Sequence, residues 1–405
     1  MRKLILAIAM LIMLSGCYNP FEDTDLDLTN GFIEGEAELQ RSLEAERSLA
    51  AANENPAYDD YFLVSGSRFA YQSLNSAQKL WYEDMEHILG SMAEEGKLSK
   101  KGLDQGLTEK DLEYVFSCVC MDHPELFFVE GYSYSTHLLG EQVIGYSFSG
   151  NYGMDRGTAV VRQEEIKLAA QQILNGFDFA WTDGSDYEKI KYVYETLIRD
   201  TEYDLNAPDN QTIYSALVGK RSVCQGYAKS MQYLLNAMGL ECTLIQGTAQ
   251  GEPHGWNLVK SDGEYYYVDA TWGDNSYRPE NGGALGPEIL YEYLCVTTEE
   301  ILKEHQIDEI VPLPTCTATK DNYFVREGAL FTEVDQGALR ILFGKASAED
   351  RYQVSLKCAT RDCYEAIIGF LLDQNKIFDY YPTGGTRISY YQNEEMLCLT
   401  FWVTN

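Results

Sequence analysis

"HGWNLVKSDGEYYYVDATW", residues 254–272, holds two apolar runs hinged on an Asp-Gly pair. Asp262-Gly263 is a strong hairpin signal, because the tight turn that twists correctly into its strands needs positive φ at both central residues. The spacing predicts strands over 255–260 and 264–268. If Ser261 pairs with Glu264, Asp269 comes opposite Trp256 and His254 opposite Thr271. Side chains alternate along a strand, so these four share one sheet face. His254 and Asp269 become diagonal neighbours, about 7–8 Å apart at the backbone, within reach of an imidazole–carboxylate hydrogen bond. An odd-length loop would put them on opposite faces.

Upstream, "VCQGYAKSMQYLL" (223–235) places Tyr227, Met231, Leu234, Leu235 and Met238 at helical spacing, with Gly239 where a helix end favours glycine. Cys224 then sits at or just before the first turn, where backbone N–H groups and the helix dipole stabilise a thiolate. The same amides could donate to a developing oxyanion. Gly226 lets another backbone or a substrate approach closely. Position alone fits a buried or capping cysteine equally well; the His254–Asp269 pair tips the balance. A thiolate attacks a carbonyl carbon, an imidazole relays the proton, and a carboxylate fixes the imidazole's tautomer. His87, His123, His137 and His305 show no ordered acid partner at a readable spacing and are assigned to structure.

Three blocks, "SVCQGYAKSMQYLLNAMGLECTLIQG", "HGWNLV" and "YYYVDATWGD", resemble those of the transglutaminase-like superfamily, with "TEYD" and "IYSALVGK" similar to its preceding segment. The resemblance covers about 186–272. It implies a papain-like α+β core, in which a helix bearing Cys224 packs on an antiparallel sheet bearing His254 and Asp269. Cys224 would be nucleophile, His254 base and Asp269 its orienter. The family includes cross-linking enzymes, peptidases, deamidating enzymes and non-catalytic scaffolds, so the resemblance implies machinery more than reaction. Gln225, Gln211, Tyr214, Trp256 and Trp272 are candidates for a further oxyanion or substrate contact. Core packing accounts for the two tryptophans equally well. Neither a cofactor nor a metal is expected.

Composition bounds the rest. The 405 residues exceed one ordinary core, and 31 Lys+Arg against 63 Asp+Glu give a formal charge of −32. That acidity argues against nucleic acid and against electrostatic docking on an anionic membrane. "MRKLILAIAMLIMLSGC" (1–17) has a basic start, an apolar stretch too short to span a bilayer, and small residues before Cys17. Its "LSGC" resembles the lipobox of bacterial lipoproteins, implying that Cys17 is lipidated and holds the protein on the extracytoplasmic side of a membrane. Expected substrates are proteins or peptides, with cell-wall peptide a candidate from location alone.

Residues 18–57 read as an acidic tether. An N-terminal α/β domain is expected over 58–153, the transglutaminase-like domain over 154–300, and an α+β domain over 301–405. Capping pairs at Asn75/Gln78, Thr108/Asp111 and Ser185/Glu188 mark helix starts. Cys118 and Cys120 with His123 hint at a metal site, but on a helix the two sulfurs point apart, so packing is preferred. Nine cysteines remain beyond Cys17; an odd count leaves at least one unpaired, and Cys358 with Cys363 is the nearest pair. A non-catalytic surface binding protein of the same fold is the rival to an enzyme.

Overall fold

The computed structural model describes residues 66–178, 182–275, 287–348, 353–381 and 387–404. The signal segment with Cys17 and the tether lie outside them. Leu74–Glu165 form one compact unit; 66–73 and the chain from Ile166 onward form a second.

In the first unit Asn75 and Gln78 close a capping box on helix α1 (Ser76–Gly90). A short strand β1 (Gly96–Lys97) follows, and Thr108 with Asp111 closes a second box on α2 (Glu109–Asp122). Strands β2 (Val129–Leu139) and β3 (Gln142–Tyr152) form an antiparallel hairpin, and β3 lies centrally in the order β1-β3-β2. Trp81 of α1 meets Tyr146 edge-on, and Phe116 of α2 packs on Tyr132 and Phe148, so both helices cover the sheet through aromatic rings. Cys118 is buried and Cys120 half-buried.

His123, which the sequence left without a partner, proves to be clamped by two acids. Its Nδ1 lies 2.8 Å from Glu125 Oε1 and its Nε2 2.8 Å from Glu86 Oε1, in a buried setting. Burial opposes the charge, but the two glutamates outweigh it and push the imidazole up to about 10. A raised folded value means the stabilisation is fully present below the ordinary 6.5 and is lost as pH rises through about 10. His123→Ala is expected to cost about 3–5 kcal/mol at pH 7, because it removes the cationic partner of the buried Glu125 and the half-buried Glu86. Urea unfolding checks this, and the gap from wild type should close as the pH is raised past 10.

The second unit begins with the remainder of a helix, Arg156–Asn175. In α3 (Asp186–Asp200) Ser185 accepts the Glu188 N–H, as the capping pair predicts, while Tyr187, Ile190, Tyr194, Leu197 and Ile198 lie on its buried face. Helix α4 (Cys224–Ala237) leads into an antiparallel five-stranded sheet. Its strands are β4 (Cys242–Ala249), β5 (Glu252–Ser261), β6 (Glu264–Val268), β7 (Leu294–Val296) and β8 (His305–Ile307), in the order β8-β4-β5-β6-β7.

The hairpin register is the one the Asp-Gly turn requires: Ser261 pairs with Glu264, and Asp262 and Gly263 have φ of 49° and 89°. Beyond Val268 the ladder stops. Asp269 caps a helical turn, α5 (Ala270–Gly273), so Thr271 is not opposite His254 as the extended strand reading had it. Strand β8 comes from beyond residue 300, where a separate α+β domain was expected to begin, and completes the sheet by pairing with β4.

A second sheet in the same unit joins β9 (Leu330–Phe331), β10 (Gln353–Cys358), β11 (Arg387–Asn393) and β12 (Cys398–Thr404) in the order β9-β10-β12-β11. Helix α6 (Arg361–Ile368) lies between β10 and β11 in sequence. All nine cysteines from Cys118 onward are thiols, Cys358 and Cys363 among them. Among the described residues no helix is long and apolar enough to cross a membrane.

Candidate active site

Val223 is the N-cap of α4 and Cys224 its first residue, with Gly239 at φ 82° in the turn that ends the helix. The first turn is held tightly from outside. A Cβ on Gly226 would stand 1.9 Å from Ser222 Oγ, 2.9 Å from Thr212 O and 3.0 Å from Asn210 O. Glycine is required there by close approach, not by backbone angle. Farther along, the Tyr227 hydroxyl lies 2.6 Å from Thr201 O and 2.7 Å from Asp274 Oδ2, tying α4 to the chain just past α5.

Strand β5 runs against that first turn. A Cβ on Gly255 would touch Gln225 Cα at 3.8 Å, and the Asn257 side-chain amide donates to Ala228 O at 2.9 Å. Cys224 and His254 are thus each one residue from the point where helix and strand meet. His254 Nε2 is 2.7 Å from Asp269 Oδ2. Asp269 is fully buried; its Oδ1 accepts the Trp272 backbone N–H at 3.1 Å. The residue is therefore both helix cap and imidazole partner.

Burial works against a buried carboxylate's charge, but the His254 and His305 imidazoles overcome it and hold Asp269 well below the usual range. An ionised carboxylate only accepts hydrogen bonds. His254 must therefore carry its proton on Nε2, which leaves Nδ1 as the ring nitrogen able to exchange a proton with a sulfur.

His305, read from the sequence as lacking an ordered acid partner and assigned to structure, has an acid partner in the fold. Its Nε2 lies 3.0 Å from the same Asp269 Oδ2. Nothing in periodicity or motif spacing could have found it, because it arrives on a three-residue edge strand. The ligand-type atoms of His254, Asp269 and His305 lie within 4.8 Å of one another, the one such trio among the described residues. They fit hydrogen bonding better than a metal. Ligating imidazoles normally donate their second nitrogen to an acceptor, and His305 Nδ1 is buried without one.

Trp256 and Trp272 flank His254, with ring centroids 5.9 and 6.0 Å from it, and both are buried. The Trp256 indole N–H has no hydrogen-bond partner. Gln225 is buried beside Cys224, and its side-chain Nε2 is also unpartnered. Gln211 stands between Asn210 and Thr212, the two residues whose carbonyls crowd Gly226, while Tyr214 lies in the short helix Ile213–Leu217. Both are half-buried, and neither enters the His254–Asp269–His305 bonds.

Residues 178–270 match the family model of the transglutaminase-like superfamily. This segment is a transglutaminase-like domain. The chain is similar to kyphoscoliosis peptidase of Mus musculus, 26% identical over 132 residues, which are 28% of this chain and 20% of that protein. The Homo sapiens protein gives 26% over 134 residues, 27% of this chain and again 20% of the relative. The chain thus spans about a fifth of the length of these curated relatives. Among solved structures, a TGase crystal structure aligns at 14% identity and TM-score 0.25, covering 35% of this chain and 44% of the other. The periplasmic domain of TgpA from Pseudomonas aeruginosa aligns at 14% identity and TM-score 0.23, covering 35% and 58%. His305 and β8 lie outside the matched segment of the transglutaminase-like domain.

Proposed function

We propose that the protein is an extracytoplasmic, lipid-anchored thiol enzyme that forms an acyl-enzyme on Cys224 with peptide or side-chain amides. One observation carries the reading: the 2.7 Å His254–Asp269 bond set beside the first turn of the Cys224 helix. The sulfur, as thiolate at a helix N-terminus, attacks the amide carbonyl carbon. The proton held by His254 passes to the leaving nitrogen as the carbon–nitrogen bond breaks. A thioester remains, and an amine or water, deprotonated by the same imidazole, completes transfer or hydrolysis. The unpartnered Gln225 Nε2 supports an oxyanion role best, since a buried N–H without an acceptor has one to gain and Gln225 adjoins Cys224 in the first turn of its helix. Cys17 would supply the anchor, and cell-wall peptide is the substrate class that this location suggests.

A second reading, a binding protein that keeps the fold without turnover, draws on the burial of Cys224 and His254, which are 0% and 2% exposed. Incubating a glutamine-containing peptide library with the protein, with and without a primary amine, and weighing products and protein separates the two. The enzyme predicts a thioester adduct on Cys224, together with amine incorporation, ammonia loss or chain cleavage. Unchanged peptides and an unmodified Cys224 favour the binding protein.

A further inference from the structure

We propose that His305 is a positioning residue for the thiol chemistry, acting through Asp269; this rests on the functional reading above. Asp269 Oδ2 faces two ring nitrogens, His254 Nε2 at 2.7 Å and His305 Nε2 at 3.0 Å, while Oδ1 is taken by the Trp272 N–H at 3.1 Å. Because the carboxylate is ionised, His305 must donate. Its N–H pins Oδ2 on the side away from the backbone cap, so the carboxylate cannot swing out of the plane that serves His254.

The donor is itself well fixed. Strand pairing sets His305 opposite Ala249, and its ring packs on Trp272, Trp256 and Tyr293 with centroids 4.5, 4.9 and 5.3 Å apart. The ionisable groups facing it are Asp269, His254 and Tyr293, whose hydroxyl donates to Glu304. A strand outside the transglutaminase-like segment thus supplies a fourth member to a three-residue constellation.

Two opposing effects are separable by sign. If His305 positions Asp269, its loss weakens support for the His254 imidazolium, and the acid midpoint of Cys224 alkylation moves up. If it only competes for Oδ2, its loss strengthens the His254 bond, and the midpoint moves down. His305→Phe keeps a ring but no donor; His305→Gln places an amide N–H at similar reach.

The test uses the full chain. His305→Phe is expected to raise the alkylation midpoint by about one unit, a tenfold loss of reactive thiolate below it, and to slow acylation about 10–100-fold with an unchanged circular dichroism spectrum. His305→Gln should restore most of both. A midpoint that is unmoved or lowered, or a Gln variant no better than Phe, overturns the proposal. In parallel, imidazole 15N spectra of the wild type should show protons on Nε2 of both His254 and His305. A His305 proton on Nδ1, or loss of both Nε2 protons on adding equimolar Zn2+, also overturns it. Since the spectra do not depend on turnover, a wild-type Cys224 that behaves as an ordinary thiol would sink the enzyme reading alone.

Discussion

Asp269→Asn is expected to leave the chain folded and to slow acylation of Cys224 by about 10⁴, the scale seen when a triad loses its orienting carboxylate. The carboxylate now accepts from three donors: the His254 and His305 rings and the Trp272 backbone. An amide offers one accepting oxygen and an NH2. If its oxygen keeps the Trp272 cap, the NH2 meets two ring N–H groups, and His254 escapes only by moving its proton to Nδ1. The ring would then present a donor where the reaction needs a lone pair. If the amide flips, the cap is lost and NH2 faces a backbone N–H. Either arrangement buries a mismatched donor, costing about 1–3 kcal/mol.

The pH dependence has a definite sign. Asp269's folded value is depressed, so its stabilisation is present above the ordinary 3.8 and lost as pH falls through its lower folded value. Wild type and Asp269→Asn should therefore differ in urea midpoint at neutral pH and converge on acidification. Acylation kinetics with a parallel unfolding series checks both halves.

Gly226→Ala tests the other arm of the site. A methyl group there meets Ser222 Oγ at 1.9 Å and two carbonyl oxygens near 3 Å. The Ser222 hydroxyl cannot simply rotate away, because it is bonded to Ser215 Oγ at 2.7 Å and to Asn210 O at 2.7 Å. The helix start must move instead, carrying Cys224 with it. The expected cost is about 3 kcal/mol or more, at the upper end for overpacking, with a loss of thiol reactivity larger than the unfolded fraction explains. Gly239→Ala serves as a comparison: at φ 82° with open space around it, it strains only the backbone and should leave Cys224 reactivity per folded molecule unchanged.

Some of this was written plainly in the chain. A two-residue Asp-Gly turn fixes register and face together, so the His254–Asp269 pair was legible in the sequence. Capping boxes at Asn75 and Thr108 did the same for two helices, since a side-chain oxygen three residues before a carboxylate or amide is a local signal. What failed to show was long-range. Asp269 ends its strand, because an Asp with an N–H to cap terminates the ladder as readily as it extends it. His305 belongs to a strand too short for periodicity to register and pairs with β4 across more than fifty residues of sequence. His123 is held by Glu86 from a different helix, an encounter only packing creates.

The proposed thiol enzyme requires the Cys224 sulfur and the His254 ring to act as one acid–base pair. The most direct measurement is the rate of Cys224 alkylation by a neutral haloacetamide from pH 4 to 10, followed by peptide mass in wild type and His254→Ala. The wild-type rate is expected to stay on a plateau below about pH 6 and, in the variant, to collapse to an ordinary thiol curve with a midpoint of about 8.5. A wild-type curve that already follows the ordinary thiol, or a plateau that survives removal of His254, would contradict it.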